Sequence, residues 1–430
     1  MKVLVLGSGA KDHAIAWLFS KGKLIEGLYV APSNPGTAGF AVNLPEVNPA
    51  DKNQVLAACK KYGIDFVFIG TEMPLQTGVI DHLNKNGIST FGAPSYALKL
   101  EGDRKFAREF AARHNIPVPN YKVFSCTKDI EKYLDENKGK TFTIKTNEMS
   151  PSRTMAYSND KKVLLPFAEK LLQKGPVIIE DKVKGISITG SILVDNVGYF
   201  VLPLCSEYTK REHTDKGLGT PTGGMGAICP IPLSPEVKEA VLKKIIHPTF
   251  KGLKEENLYY KGVLTFSIIL ASDGPYLVDY HVRLNDPATQ AMVPLIKNDF
   301  VELMMAMQNN TLKQVEPITS NESSVCVVIA SEGYPNDTKT GMKLAPIPPK
   351  FLGNCYDDGT YLFFGAVQRK EDGEIYTTGG RAATIVGVGQ NIIQANSMAY
   401  KAIDTVTFDG AWHREDIGNK FFENSAKENR

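Results

Sequence analysis

The residues best placed for chemistry lie in LVDYHVRLNDPATQ, Leu277 to Gln290. Asp279, His281 and Arg283 alternate there, and side chains two apart in a strand share a face. A carboxylate, an imidazole and a guanidinium in one row suit a cation and an anion held together, such as a metal-bound phosphate. A solvated strand edge would show the same alternation. The upstream sequence argues for the interior: GVLTFSIILA reads as a buried strand, and SDGP as a hairpin turn into YLVDYHVR.

Other groups could serve the same site. TPTGGMGAICPIP, Thr220 to Pro232, carries Gly223, Gly224 and Gly226, which let backbone approach a ligand closely with free N–H groups. Lys145 follows an apolar strand and precedes a loop, a place suited to holding phosphate. Glu72 ends a predicted parallel strand, where α/β sheets put ligand groups. The turn Gly7-Ser8-Gly9-Ala10 opens a helix, whose N–H groups could hold an anion. It is not a full dinucleotide fingerprint, because Asp12 stands at the third glycine position. A purely structural turn stays open as the other reading. His13, next along, is read either as helix packing or as a substrate contact.

The elements that must position these groups follow from periodicity. KVLVLG, GLYVA, DFVFIG and ISTFGA read as strands between the helical segments DHAIAWLFSK, NQVLAACKKY and TGVIDHLNKN, which predicts an open parallel α/β sheet. One helix is predicted from about Ala97 to His114. A mixed segment follows, with strands FTIKT, PVIIEDKV and ITGSILV and a helix around Leu164 to Lys174. The pattern restarts near Ser323 and ends with a helix from Asn391 to Ile403. Three domains are expected, at 1–102, 103–320 (with a small lid at about 120–187) and 321–430.

At 430 residues the chain has ample material for several cores, and a formal net charge of +2 gives no electrostatic reason to expect nucleic acid or membrane as partner. Cys59, Cys126, Cys205, Cys229, Cys326 and Cys355 form no CxxC pair, as expected for reduced thiols in a cytoplasmic protein. No apolar run approaches the roughly 18 residues of a membrane span. The six residues before the first glycine turn are too few for a secretion signal.

Read in order, the motifs resemble the phosphoribosylamine–glycine ligases of purine synthesis, which have an ATP-grasp fold. GSGAKDHA is similar to the family's GxGxREHA, APSNPGTA to APGNxGTA, and GTEMPLQTGVID to GPExPLxxGxxD. LEGDRKFAREFAARHNIP resembles LEGSKxFxKxFxxRxxIP, TPTGGMGA resembles PNTGGMGA, and VRLNDPATQ resembles xRFGDPETQ. GGR at Gly379 to Arg381 and DIG at Asp416 to Gly418 also fit. The resemblance implies an N-terminal Rossmann-like domain, an ATP-grasp domain and a C-terminal α+β domain. It implies ATP with Mg²⁺ or Mn²⁺, and glycine and 5-phosphoribosylamine as substrates for a monomer or weak homodimer. By the same resemblance Arg283 and Asp286 are catalytic, and Asp279 and His281 hold the metal. Lys145, Arg153, Glu180, Asp181, Val183 and Arg104 meet the nucleotide. Gly9, His13, Glu72, Thr222, Gly223, Gly224 and Gly226 meet the substrates.

The departures concentrate on the nucleotide side. The family's phosphate-covering loop GLAAGKG is here Glu148-Met149-Ser150-Pro151-Ser152-Arg153-Thr154, without its glycines and with arginine for lysine. GEEAS has become Gly185-Ile186-Ser187-Ile188-Thr189, EFNxR has become Asp279 to Arg283 with Asp and His for Glu and Asn, and GDPE has become Asn285-Asp286-Pro287-Ala288. Imidazole is a poor ligand for Mg²⁺ and a better one for Mn²⁺ or Zn²⁺. Three functions therefore stand open: the family's ligase, an ATP-dependent ligase with a changed substrate or nucleotide, and a non-catalytic binder of ligand or partner.

Overall fold

A computed structural model describes residues 1–148, 155–212, 219–351 and 358–422. Five parallel strands open the chain, in the spatial order Val42–Asn43, Gly27–Ala31, Lys2–Leu6, Phe66–Ile69, Ser89–Phe91. Val3, Leu4, Val5 and Leu6 are fully buried, as a strand covered on both faces requires. The order reverses beside Lys2–Leu6. The crevice at such a switch point lies outside the strands' carboxyl ends. Here it is framed by the turn Gly7–Gly9 and by Gly70–Glu72.

The helix expected as one piece from Ala97 to His114 is two, Lys99–Gly102 and Arg104–Arg113. Asp103 breaks it: its backbone is extended and its carboxylate caps the second helix by accepting from the Phe106 N–H at 3.0 Å. The break turns Glu101 and Arg104 towards the strand Gly274–His281.

A small subdomain with its own apolar core follows, built on Phe124, Ile130, Phe142, Ile144, Leu164 and Ile179. Its antiparallel sheet runs Tyr121–Phe124, Val177–Asp181, Phe142–Thr146, Met155–Ser158. A second antiparallel sheet runs Tyr199–Val201, Ile186–Val194, Gly262–Ala271, Gly274–His281. The last two strands form the hairpin read from the sequence, with Ala271 opposite Gly274. A bulge at Val278, opposite Ser267 and Ile268, changes which residues face the core. Before it Pro275 and Leu277 are buried; after it Tyr280 and Val282 are, and Asp279, His281 and Arg283 face the site.

The last sheet runs Ser206–Glu207, Gly226–Cys229, Ser323–Ala330, Arg381–Gly389, Thr360–Phe364. Its first two strands come from inside the segment expected to end at 320. That exchange brings the glycine-rich turn at 223–226 beside Arg381.

Candidate functional site

Two cavities meet at Glu72. The larger, about 1170 Å³, is walled by Gly9, Thr222, Gly223, Asp286, Thr378 and Arg381 among others. The smaller, about 160 Å³, is lined by Glu72, Glu101, Arg104, Asp279, His281 and Arg283. The row read from the sequence thus lines one chamber. Arg283 belongs to that chamber and not to the glycine-rich turn, which corrects the expectation that the two sides form one pocket.

Within the small chamber, Arg283 Nη2 lies 2.5 Å from Glu72 Oε1 and 3.1 Å from Glu101 Oε1. His281 has both ring nitrogens engaged: Nδ1 is 3.1 Å from Glu101 Oε1 and Nε2 is 3.1 Å from Ser267 Oγ. The Val282 N–H donates to the other Glu101 oxygen at 2.8 Å. Burial would raise the Glu101 carboxyl, but Arg283 and His281 outweigh it and hold it down to about 2.

Asp279 faces three cations. Lys145 Nζ lies 2.9 Å from its Oδ2, and Arg104 Nε 3.3 Å and Arg108 Nη2 3.8 Å from its Oδ1. Against the cost of burial, these neighbours hold its carboxyl well below the usual range. Lys145 also lies 3.0 Å from Glu180 Oε2, and Arg108 Nε donates to Glu180 Oε1 at 2.7 Å. Lys145, Arg108 and Glu180 are almost wholly buried. Arg104 further donates to the carbonyls of Thr146 at 2.8 Å and Glu148 at 3.1 Å. Asp181 accepts from Asn120 Nδ2 at 3.1 Å, and Val183 is half-buried just past that strand. Arg153 lies outside the described residues.

This donor set does not fit a magnesium ion. A hard cation needs several free oxygen ligands, but the chamber's carboxylates are already engaged, Asp279 by Lys145 and Glu101 and Glu72 by Arg283, and both nitrogens of the imidazole are taken. Among the described residues no group of three metal-ligating side chains forms. His281, expected as a ligand, is instead fixed between Glu101 and Ser267.

Behind the wall of the larger cavity, buried Gly224 has φ of +116°, and a Cβ there would meet Pro287 Cδ at 2.4 Å. Its N–H donates to Thr222 Oγ1 at 3.1 Å, and the Gly223 N–H to Tyr334 Oη at 2.9 Å. Gly226 is a buried strand residue packed against the Cys326 carbonyl and Ile417; it serves packing, not contact. Of the two readings of His13, packing is the one the structure shows, against the substrate contact that the family resemblance implied. It is fully buried among Phe40, Phe363 and Phe364, where Nδ1 accepts the Phe364 N–H at 3.0 Å. Burial holds its imidazole down to about 3, so it stays neutral and structural. The turn before it is filled by Asp12, which accepts the Gly9 N–H at 2.9 Å. Burial raises the Asp12 carboxyl to about 6, against the pull of Lys11 and that N–H.

Four residues of consequence went unassigned from sequence. Glu101 and Arg381 sit inside the motifs LEGDRKF and GGR, so the signal was present without a role. Arg108 follows Arg104 by one helical turn, on the same face. Ser267 carried no signal, since only strand pairing places it opposite Asp279.

A parallel sheet with a ligand crevice, a small antiparallel subdomain over a basic row and a strand-end carboxylate define the ATP-grasp class of ligases. Family models described as phosphoribosylglycinamide synthetase match in succession: the N domain over 1–101, the ATP-grasp (A) domain over 102–289 and the C domain over 324–420. The chain belongs to the phosphoribosylglycinamide synthetase family. It is 32% identical to the phosphoribosylamine–glycine ligase of Clostridium acetobutylicum, over 97% of this chain and 99% of that one. It is 31% identical to that of Neisseria meningitidis serogroup B, over 98% and 99%. The crystal structure of the Thermotoga maritima phosphoribosylamine–glycine ligase shares the fold, with a TM-score of 0.80 at 24% identity, covering 97% of this chain and all of that one. A biotin carboxylase domain from Hydrogenobacter thermophilus, in complex with MgADP, shares it at 0.71 and 16%, covering 96% and 91%. No helix among the described residues is long and apolar enough to cross a membrane.

Proposed function

We propose that this protein joins glycine to 5-phosphoribosylamine, giving glycinamide ribonucleotide at the expense of ATP, as a step of de novo purine biosynthesis. The observation that carries the reading is the pair of cavities sharing Glu72, with Arg283 of the small chamber bound to that carboxylate. A small chamber lined by both guanidiniums and carboxylates suits an amino acid, whose carboxylate and ammonium each find a partner there. A large polar one suits a phosphorylated sugar.

ATP donates its γ-phosphoryl group to a glycine carboxylate oxygen, releasing ADP. The amine nitrogen of 5-phosphoribosylamine then attacks the acyl carbon, and inorganic phosphate leaves with the electrons of the broken C–O bond. Little proton transfer is asked of the protein; it positions anions and stabilises spreading phosphoryl charge. Lys145 and Arg104 are the cations for the nucleotide phosphates, and reach them by exchanging Asp279 for the incoming anion. Arg283 offers a planar fork matched to the glycine carboxylate. Asp286, held 2.9 Å from Arg381 Nη1, fixes the floor of the large cavity where the amine must enter. ATP-grasp ligases use Mg²⁺ or Mn²⁺ with ATP; given the donor set, such an ion would enter with the nucleotide, whose phosphate oxygens would supply its ligands.

ADP release with glycine and freshly generated 5-phosphoribosylamine, each omitted in turn, tests the reading. Release that requires both supports it. A second reading, a binder without turnover, is favoured by one observation: Lys145 is already clasped by two carboxylates. Sugar-phosphate binding without ADP release under any substrate combination would establish that reading instead.

A further inference from the structure

We propose that Arg381 is the anchor for the phosphate of the phosphorylated ribosyl amine. The sugar then lies in the large cavity with its phosphate at the C-terminal sheet and its amine towards Glu72. The proposal rests on the ligase reading for the identity of the sugar, and on geometry for the anchor.

Three places in this cavity could hold an anion, and two are already filled. The helix start after Gly9 is the first. There the Asp12 carboxylate accepts the Gly9 N–H at 2.9 Å, and a Cβ on Gly7 would sit 2.2 Å from that carboxyl carbon. A phosphate brought to this turn would meet a carboxyl group where it needs donors.

The glycine-rich turn is the second. Its N–H groups are consumed internally: Gly223 donates to Tyr334 Oη at 2.9 Å, Gly224 to Thr222 Oγ1 at 3.1 Å, and Met225 to the Tyr208 carbonyl at 2.7 Å. Glycine at these positions shapes the wall and leaves no nest of free donors.

Arg381 is the third, and among the described residues on the cavity wall it is the one cation. Its Nη1 is pinned by the Gly223 carbonyl at 2.9 Å, the Asp286 carbonyl at 3.2 Å and Asp286 Oδ1 at 2.9 Å. Nε and Nη2 make no hydrogen bond to a described residue, and the side chain is 26% exposed. One edge of the guanidinium is fixed to the scaffold and the other is open. A Cβ on Gly223 would stand 3.2 Å from Nη2, so glycine there keeps that edge clear. An open guanidinium edge matches two phosphate oxygens. At the other end, Glu72 borders both cavities; its carboxylate repels phosphate and suits an amine, beside the chamber where the acyl group forms.

Calorimetry with ribose 5-phosphate and with ribose tests the anchor. The wild-type protein should prefer the phosphorylated sugar by roughly 10- to 100-fold, the size expected of charge-assisted bonds. Arg381→Lys should lose most of that preference and raise the KM for 5-phosphoribosylamine, with the KM for glycine unchanged. Arg381→Met should lose all of it. Because methionine also unpins Asp286, a melting curve accompanies it, and Arg381→Lys decides if the Met variant fails to fold. Undiminished ribose 5-phosphate binding in the Lys variant overturns the proposal, as does absence of binding to wild type. The two readings separate cleanly. Turnover with an unaltered 5-phosphoribosylamine KM in the Lys variant removes the anchor and keeps the ligase. Arg381-dependent phosphate binding without turnover keeps the anchor and removes the ligase.

Discussion

Lys145 Nζ lies 2.9 Å from Asp279 Oδ2, which ties the small antiparallel subdomain to the hairpin strand of the central sheet. Around that contact three cations, Lys145, Arg104 and Arg108, share two carboxylates, Asp279 and Glu180. Asp279→Asn leaves buried positive charge with one carboxylate. It should cost about 3 kcal/mol of stability, the scale of breaking a buried pair. Lys145→Met/Asp279→Asn should lose less than the sum of the single changes, because the pair is removed together. Urea unfolding of the four proteins measures both. Additive losses would mean the contact contributes nothing of its own.

The protein alone should bind Mn²⁺ only weakly. Asp279 is claimed by Lys145, Glu72 and Glu101 by Arg283, and the imidazole is engaged at both nitrogens, so no ion site is assembled. Paramagnetic resonance of added Mn²⁺ should show free ion with protein alone and bound ion once ATP supplies phosphate oxygens. Stoichiometric binding without nucleotide, lost in His281→Ala, would restore His281 as a ligand.

Acid should destabilise the fold in part through His13. Its imidazole is held down to about 3 by burial, against an ordinary 6.5. Below pH 6.5 the unfolded chain binds a proton that the folded chain refuses, so stability falls as pH drops, by about 2 kcal/mol from pH 6.5 to 5. Asp12 acts in the opposite direction. Its carboxyl is raised to about 6, so it favours the folded state most at low pH and less as pH rises from 4 to 6. The informative quantity is therefore the difference between wild type and His13→Gln, which retains an acceptor for the Phe364 N–H. That difference should shrink by about 2 kcal/mol between pH 7 and 5. A constant difference would show that His13 titrates normally.

These cases show what the sequence could carry. Local pattern was enough for the hairpin, because an apolar run, a turn pair and alternating polar residues are written in neighbouring positions. It was enough for the parallel sheet as well. It could not place His13, since whether a histidine after a glycine turn meets ligand or three phenylalanines depends on the strand Thr360–Phe364, far along the chain. Nor could it separate Arg283 from Arg381. Both are guanidiniums in family motifs, and only the sheet that joins 226–229 to 381–389 decides which one adjoins the glycines.

Gly223 and Gly224 should part company on substitution. Gly224 sits at φ of +116° with Pro287 2.4 Å from any added Cβ, so Gly224→Ala should cost at least the strain of that backbone, about 1–3 kcal/mol. Gly223 is exposed on the cavity wall, and Gly223→Ala should fold normally while crowding Arg381 Nη2. Melting temperature against ribose 5-phosphate affinity separates the two effects. Equal melting temperatures would mean that the turn relaxes around Gly224.

Glu101 should act through what it holds. Its carboxylate keeps His281 Nδ1, the Val282 N–H and Arg283 Nη2 in place, and an amide could not hold all three. A glutamine presents one acceptor oxygen and an NH₂ group that faces the Arg283 donors unfavourably. Arg283 would then rest on Glu72 alone, at the more exposed end of the chamber. If Arg283 orients the glycine carboxylate, Glu101→Gln should raise the glycine KM and lower kcat, together about 10- to 100-fold in kcat/KM, for the loss of a charged hydrogen bond. The same variant should bind ribose 5-phosphate as wild type does, because Arg381 and its partners lie on the other cavity. Glu101→Asp keeps the charge on a shorter arm and should recover part of the loss. An equal loss of sugar-phosphate affinity in Glu101→Gln would show that the two chambers do not work as separate binding sites.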